Sequence, residues 1–144
     1  RSLMLMACQL FGLPPRDEGR LNGLARRYWP GLSLPRHVDN PDIFEEPVLS
    51  VVLQVAEGDG LRLCEPRDEV IAQAEGVALR AERGYQVQEV HGLAVCLEGH
   101  ARYVLNHEIP AVRRTRISLS WRWFRQDYLE SLVQLEAALA DSNV

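Results

Sequence analysis

Short apolar or alternating segments, separated by turn signals, make up most of the chain. Clusters rich in Pro, Gly, Asn and Asp, such as those at 30–31, 40–42 and 57–60, supply the backbone angles that tight turns need. The segments predicted to be extended are 21–29, 34–39, 47–55, 61–64, 77–79, 85–90, 93–97, 101–106 and 116–123. The nearly continuous apolar run PVLSVVLQV at 47–55 predicts a central strand.

Helical spacing occurs at the two ends of the chain. In residues 2–11, the apolar positions at helical intervals are Leu3, Met6, Ala7 and Leu10. Residues 126–139 predict an amphipathic helix with an apolar side formed by Leu129, Leu132, Val133 and Leu139. Many short strands with one helix at each end predict a mainly β fold, a double-stranded β-helix (jelly-roll or cupin-like) barrel. The mouth of such a barrel can hold a metal and a small acid.

The last predicted strand, RISLSWRW at 116–123, carries two arginines on one face. Because residues two apart share a strand face, Arg116 and Arg122 point the same way, with Ser118 and Ser120 between them. The other face is predicted to enter the core with Ile117, Leu119, Trp121 and Trp123. Two guanidinium groups reaching toward each other along about 20 Å of strand leave room for a dicarboxylic acid. The alternative is a half-exposed strand with arginine on its wet face.

Two histidines and one aspartate have the residue types of a metal site. In an extended segment His37 and Asp39 lie on one face, about 7 Å apart, within reach of one ion. His107 is in a strand-like context after an alternating segment. Two neutral imidazoles and one carboxylate on one face of an iron leave the opposite face open for co-substrate and oxygen. An H-x-D pair also occurs by chance, and His91 and His100 are interpreted as surface or core residues.

Composition bounds the class of protein. A chain of 144 residues, 47% of them hydrophobic, suits a single domain, 1–144, with its own core. The formal net charge is −4, which does not indicate nucleic-acid binding, although a local basic patch would suffice. Three widely spaced cysteines without a C-x-x-C pair indicate free thiols and an intracellular protein. The apolar start at 1–13 is too short to span a bilayer, so no membrane partner is expected.

The order of these motifs resembles the AlkB-like family of Fe(II)- and 2-oxoglutarate-dependent dioxygenases. The matching pieces are RRYWPG (26–31), HVD (37–39), PVLSVVL (47–53), LEGHARYVLNHEIP (97–110) and RISLSWR (116–122). The family pattern has an N-x-Y-x-P-G turn, an H-x-D nine residues after that tyrosine, a G-x-x-R-x-x-x-x-H-x-I segment and a terminal R-x-[NS]-x-[ST]-[FW]-R. Tyr28 precedes His37 by nine residues. The resemblance runs from about Leu3 to Phe124.

This resemblance implies both a site and a reaction. The implied Fe(II) ligands, which form the catalytic centre, are His37, Asp39 and His107. The residues implied to bind 2-oxoglutarate are Arg116 (distal carboxylate), Arg122 (the other end or the surrounding site), Tyr28, Ser118 and Arg26. With molecular oxygen, the co-substrate would give succinate and carbon dioxide while a substrate C–H bond is hydroxylated. Hydroxylation of an N-methyl group releases formaldehyde, so the net reaction is demethylation.

Departures from the family pattern concern the substrate side. Arg26 stands where the family usually has asparagine, which alters one co-substrate contact. The 70 residues from His37 to His107 predict an insertion within 65–90. The nucleotide-gripping lid normally precedes the first helix, so we expect this chain to lack it.

Three hypotheses remain open at this point, all for a monomer. The first is demethylation of alkylated bases in DNA or RNA, which the arginines between 113 and 125 favour. The second is the same oxygenase chemistry on a protein side chain or a small molecule. The third is a catalytically silent jelly-roll that serves as a binding module, which three intact metal ligands disfavour.

Overall fold

A computed structural model of the protein describes residues 1–65 and 84–141. The strands are β1 (Leu21–Tyr28), β2 (Leu34–His37), β3 (Phe44–Gln54), β4 (Arg62–Cys64), β5 (Gly84–Gln86), β6 (Ala94–Leu97), β7 (Asn106–Ile109) and β8 (Arg116–Phe124). The helices are α1 (Ser2–Leu10), α2 (Gly99–Tyr103) and α3 (Gln126–Asp141), with a 3-10 turn at Glu18–Arg20.

Within the described ranges, the strands form two antiparallel sheets of four strands each. The first sheet has the order β1-β8-β3-β6 and the second the order β2-β7-β4-β5. Every strand pair is antiparallel. The prediction of a mainly β, jelly-roll-like fold with a helix at each end is therefore confirmed.

The first sheet is covered on both faces, which explains the continuous apolar run of β3. One face packs against α1 in a core cluster of Met4, Ala7, Leu49, Val51, Trp121 and Trp123. The opposite face carries Val48 and Ser50 of β3 and Ser118 of β8, and it lines a pocket together with residues of the second sheet. Strand β8 alternates between these two surroundings as its sequence predicts, with the polar side chains on the pocket face.

Helix α1 forms as predicted, and of the four apolar positions at helical spacing only Ala7 is buried. Met4 and Ala7 are each only 4% exposed, whereas Met6 and Leu10 are 63% and 71% exposed. Leu3, another of the four positions, is exposed as well. Because almost every position of the helix is apolar, spacing alone does not select one face. The face that is buried depends on how the helix docks on the sheet.

Helix α3 also forms as predicted, yet most of its apolar side is exposed. Leu132, Val133 and Leu139 are exposed, and Leu129 is half-buried. The start of the helix is attached to the barrel by stacked rings, with Phe124 4.9 Å from Phe44 and 5.9 Å from Tyr128. Among the described residues, no helix is long and apolar enough to cross a membrane.

Residues 101–106 do not form the predicted alternating strand, because α2 spans Gly99–Tyr103 and β7 begins only at Asn106. The buried Arg102 turns inward and donates hydrogen bonds to the carbonyl oxygens of Asp39 (2.7 Å) and Phe44 (2.8 Å). The Glu46 carboxylate accepts the N–H of Gly99 at 2.7 Å. These tertiary contacts override a weak local alternation.

The predicted strand at 85–90 is shorter in the structure, since β5 ends at Gln86. Beyond it, the N–H of Glu89 donates to the carbonyl oxygen of Val87 at 2.9 Å, which turns the chain away from the sheet. The predicted strand at 77–79 lies outside the described residues, as does most of the predicted insertion at 65–90.

Asp59, in the turn after β3, holds the segment that leads into β8. Its carboxylate accepts the backbone N–H of Arg113 at 2.9 Å and of Arg114 at 3.3 Å, and also the Nε of Arg113 at 2.9 Å. Burial by itself raises the pKa of Asp59, but these hydrogen bonds and the Arg113 charge outweigh it and lower the pKa below its ordinary value.

Replacing Asp59 with asparagine is expected to lower the free energy of unfolding at pH 7 by about 1–2 kcal/mol. The backbone hydrogen bonds carry most of this effect, because water screens the exposed Arg113. The wild-type carboxylate contributes fully above its unfolded pKa of about 4. That contribution is lost as the pH falls through the lower folded-state pKa. Urea unfolding at pH 7 and at about pH 3 would measure the difference in unfolding free energy between the wild type and Asp59→Asn at each pH. An equal difference at the two pH values would contradict a role for the Asp59 carboxylate charge.

Candidate metal centre

Three potential metal ligands meet where β2 and β7 pair. His37 and His107 are register partners across this antiparallel ladder, so their side chains leave the same face. Asp39 follows His37 by two residues, and its side chain turns to the same side. The ligand atoms of His37, Asp39 and His107 all lie within 4.8 Å of one another. The two imidazole centroids are 4.3 Å apart, close enough for both rings to contact one ion.

Each ligand has a surrounding that suits a metal. The Nδ1 of His37 lies 2.8 Å from the carbonyl oxygen of Pro35, so Nδ1 is the donor of that contact and Nε2 is the nitrogen left to face a metal. Burial first, and then the neighbouring His37, lower the pKa of His107 to about 4. His107 is therefore a neutral imidazole at pH 7, which is the form that binds metals.

Asp39 is held by two arginines. Its side chain is almost fully buried, and its Oδ1 accepts a hydrogen bond from Nη1 of Arg122. Its Oδ2 lies 3.7 Å from Nε2 of His107. The backbone carbonyl of Asp39 accepts from Arg102, as described above. One carboxylate oxygen is thus fixed by an arginine while the other faces the histidines, an arrangement in which an outer partner orients a ligand.

The surroundings therefore fit a divalent cation. The donor set of two neutral imidazoles and one carboxylate is the one that leaves coordination positions open on a non-haem iron. Two of the three ligands have an outer hydrogen-bond partner. The buried Nδ1 of His107 has none among the described residues.

One pocket contains all eight residues to which the sequence assigns metal or co-substrate contacts. It encloses about 550 Å³, open mouth included. The assigned residues on its wall are Arg26, Tyr28, His37, Asp39, His107, Arg116, Ser118 and Arg122. Register explains the polar wall, since Tyr28 lies opposite Arg116 and Arg26 lies opposite Ser118 across the β1–β8 ladder. Their individual roles remain predictions.

Arg116 and Arg122 share a face, as predicted, but each is paired with a carboxylate of the chain itself. Arg122 binds Asp39, and it also donates to the side-chain oxygen of Asn22 at 3.3 Å. Arg116 makes a two-pronged ion pair with Glu89, with Nε and Nη2 each 2.8 Å from a carboxylate oxygen. Its Nη1 donates to Ser118 Oγ at 3.0 Å.

Two of the residues that shape this site were not identified from the sequence. Arg102 is the arginine of the G-x-x-R motif, so the motif marked its position without revealing its role in holding Asp39. Glu89 carries no local signal, because its partner Arg116 is 27 residues away and the intervening chain does not alternate as one strand.

Comparisons with known proteins add a structural similarity. No protein-family model and no curated protein matches the chain. Among solved structures, the chain resembles a prolyl-4-hydroxylase from Pseudomonas putida, with 25% sequence identity and a TM-score of 0.48. The match covers 87% of this chain and 62% of the hydroxylase chain, so the protein spans less than two thirds of that chain's length. The chemistry of the present protein is therefore inferred from the residues of its own pocket.

Proposed function

We propose that the protein is an Fe(II)-dependent oxygenase that uses 2-oxoglutarate as co-substrate. The observation that carries this proposal is the convergence of His37, Asp39 and His107 on the wall of a pocket lined by arginines. When bound, Fe(II) would supply the activation of molecular oxygen that couples decarboxylation of the 2-oxo acid to hydroxylation of a substrate C–H bond.

The chain's own residues would bind and orient the metal and the co-substrate, and they would exclude water from the site. His37 and His107 present ring nitrogens, and Arg122 keeps the Asp39 carboxylate turned toward them. The pocket's arginines, with Tyr28 and Ser118, offer donors to an acidic co-substrate. Apolar side chains line the same pocket at Leu34, Leu61, Leu97 and Ile109, and they keep water from the reacting atoms.

The pairing of the arginines favours a protein side chain or a small molecule as the substrate. Four of the five arginines between 113 and 125 are matched to carboxylates of the chain, namely Arg113 to Asp59, Arg116 to Glu89, Arg122 to Asp39 and Arg125 to Asp127. A phosphate backbone needs uncompensated cations. Membership of the AlkB-like family and demethylation of alkylated bases thus gain no support from this basic segment.

Anaerobic titration of Fe(II) into the protein with 2-oxoglutarate tests the proposal. The wild-type protein is expected to develop the weak visible charge-transfer band of an iron-bound 2-oxo acid. His107→Ala is expected to lose the band, because a metal ligand is gone. His100→Ala is the matched control, since this exposed histidine on α2 lies outside the pocket, and it should keep the band.

Measuring the unfolding temperature of the same samples with Mn(II) distinguishes a loss of folding from a loss of metal binding. Mn(II) that binds only the native state must raise the unfolding temperature, in the wild type and His100→Ala and not in His107→Ala. A folded wild-type protein that shows neither the band nor this stabilisation would contradict the proposal. It would favour the silent binding module instead.

A further inference from the structure

The far end of the pocket from the metal ligands carries no net charge. Arg116 and Glu89 form a closed ion pair there, with side chains only 4% and 1% exposed. Two of the five N–H groups of Arg116 are used by Glu89 and a third by Ser118. A carboxylate added at this end would place a second negative charge on a guanidinium that is already neutralised.

The position of Glu89 is built into the fold around it. Gly60, whose φ is +131°, lies so close that a Cβ added there would stand 2.6 Å from Oε2 of Glu89. Glycine is therefore required both by the backbone angle and by the space that Glu89 occupies. The pair is enclosed between this turn, β8 and the segment after β5.

Arg26 differs from the other two arginines of the pocket. It lines the pocket and is half-buried, yet no hydrogen-bond acceptor or carboxylate pairs with it in the part of the chain that the structure describes. It lies opposite Ser118 across the β1–β8 ladder, and Ser118 is two residues from Arg116 on the same face of β8. Its neighbour in sequence, Arg27, leaves the other face of β1 and stacks on Trp29 at 3.9 Å.

We propose that Arg26 supplies the net positive charge that attracts the co-substrate. Glu89 cancels the attraction that Arg116 would otherwise exert on the distal carboxylate of 2-oxoglutarate. This inference rests on the proposed function and narrows its co-substrate class. The pocket would accept 2-oxo acids with an uncharged tail as well as 2-oxoglutarate, because Glu89 already neutralises the Arg116 guanidinium at its far end.

The test compares binding of 2-oxoglutarate with binding of 2-oxopentanoate, which has the same carbon chain without the distal carboxylate. Both acids are titrated by calorimetry, with and without Mn(II). For the wild-type protein the two dissociation constants are expected to agree within about tenfold. Glu89→Gln should tighten 2-oxoglutarate by about tenfold or more, leave 2-oxopentanoate nearly unchanged, and so create the preference that the wild type lacks.

Matched variants make these changes specific. Arg26→Ala should weaken both acids by a similar factor, whereas Arg27→Ala, on the opposite face of β1, should weaken neither. Glu57 is an exposed glutamate in the turn before Asp59, and Glu57→Gln should leave the ratio of the two dissociation constants unchanged. Thermal unfolding of each variant shows whether it is folded.

The outcomes separate this inference from the proposed function. The inference would be overturned if the wild-type protein preferred 2-oxoglutarate by more than about 100-fold. It would also be overturned if Glu89→Gln left the ratio of the two dissociation constants unchanged. Failure of both acids to bind, with or without Mn(II), would overturn it too. If the dissociation constants of the two acids have the predicted ratios but Mn(II) changes neither of them, the charge arrangement is supported and the metal-dependent function is refuted.

Discussion

Asp39→Ala is expected to lower the affinity for Mn(II) by more than about 100-fold while leaving the protein folded. Loss of an outer hydrogen-bond partner of a metal ligand costs about 10–100-fold, and removal of the ligand itself should cost more. Asp39 also supplies the negative charge among the three ligands. Without it, two imidazoles and the charge of Arg122 would face the cation.

The variant should fold because the side chain that loses its partner can be rehydrated. Arg122 is 14% exposed, it keeps its contact with Asn22, and its guanidinium lies 4.4 Å from the ring of Phe44. The carbonyl of residue 39 still accepts from Arg102. A deletion that removes one member of a partly exposed ion pair leaves an uncompensated charge, and access to water limits that cost.

Electron paramagnetic resonance of free Mn(II) measures the affinity directly, and circular dichroism measures the fold. Asp42→Ala is the matched control, because this exposed aspartate lies three residues further along the same loop and outside the pocket. If Asp39→Ala bound Mn(II) as tightly as the wild type and Asp42→Ala did not, the assignment of the ligands would be wrong.

The parts of the site that the sequence predicted are those with a regular spacing. The two-residue period of β8 placed Arg116, Ser118 and Arg122 on one face, and the structure puts them on the pocket wall. The same period placed His37 and Asp39 on one side of the chain. A period is visible in the sequence because each residue's direction depends only on its neighbours along the strand.

The parts that the sequence did not predict depend on contacts between distant segments. Glu89 pairs with Arg116 only because the chain after β5 returns to β8, and no local pattern contains that information. Spacing did not identify the buried face of α1, because its residues are nearly all apolar and docking on the sheet selected Met4 and Ala7. The helix α2 replaced a predicted strand because Arg102 finds buried acceptors.

Arg102→Met is expected to lower the free energy of unfolding by about 3 kcal/mol or more, a large part of the stability of a domain of this size. The side chain is 1% exposed, and its two terminal nitrogens join the carbonyls of Asp39 and Phe44 across the loop between β2 and β3. Methionine can fill similar space, but it would take from both carbonyl oxygens the donor that Arg102 supplies. Burial lowers the pKa of Arg102, although the Asp39 charge opposes this, so the hydrogen bonds offset a real desolvation cost.

The same change should also weaken Mn(II) binding, by about tenfold, because the Asp39 backbone loses a donor that fixes it beside His107. Arg114→Met is the matched control, since its exposed side chain should leave both the unfolding midpoint and the affinity unchanged. Urea unfolding of the metal-free proteins gives the stability, and Mn(II) titration well below the unfolding transition gives the affinity. A stable Arg102→Met variant with wild-type affinity would show that the loop holds Asp39 without this arginine. Lower stability with unchanged affinity would confine Arg102 to the fold and leave Arg122 as the residue that orients the carboxylate.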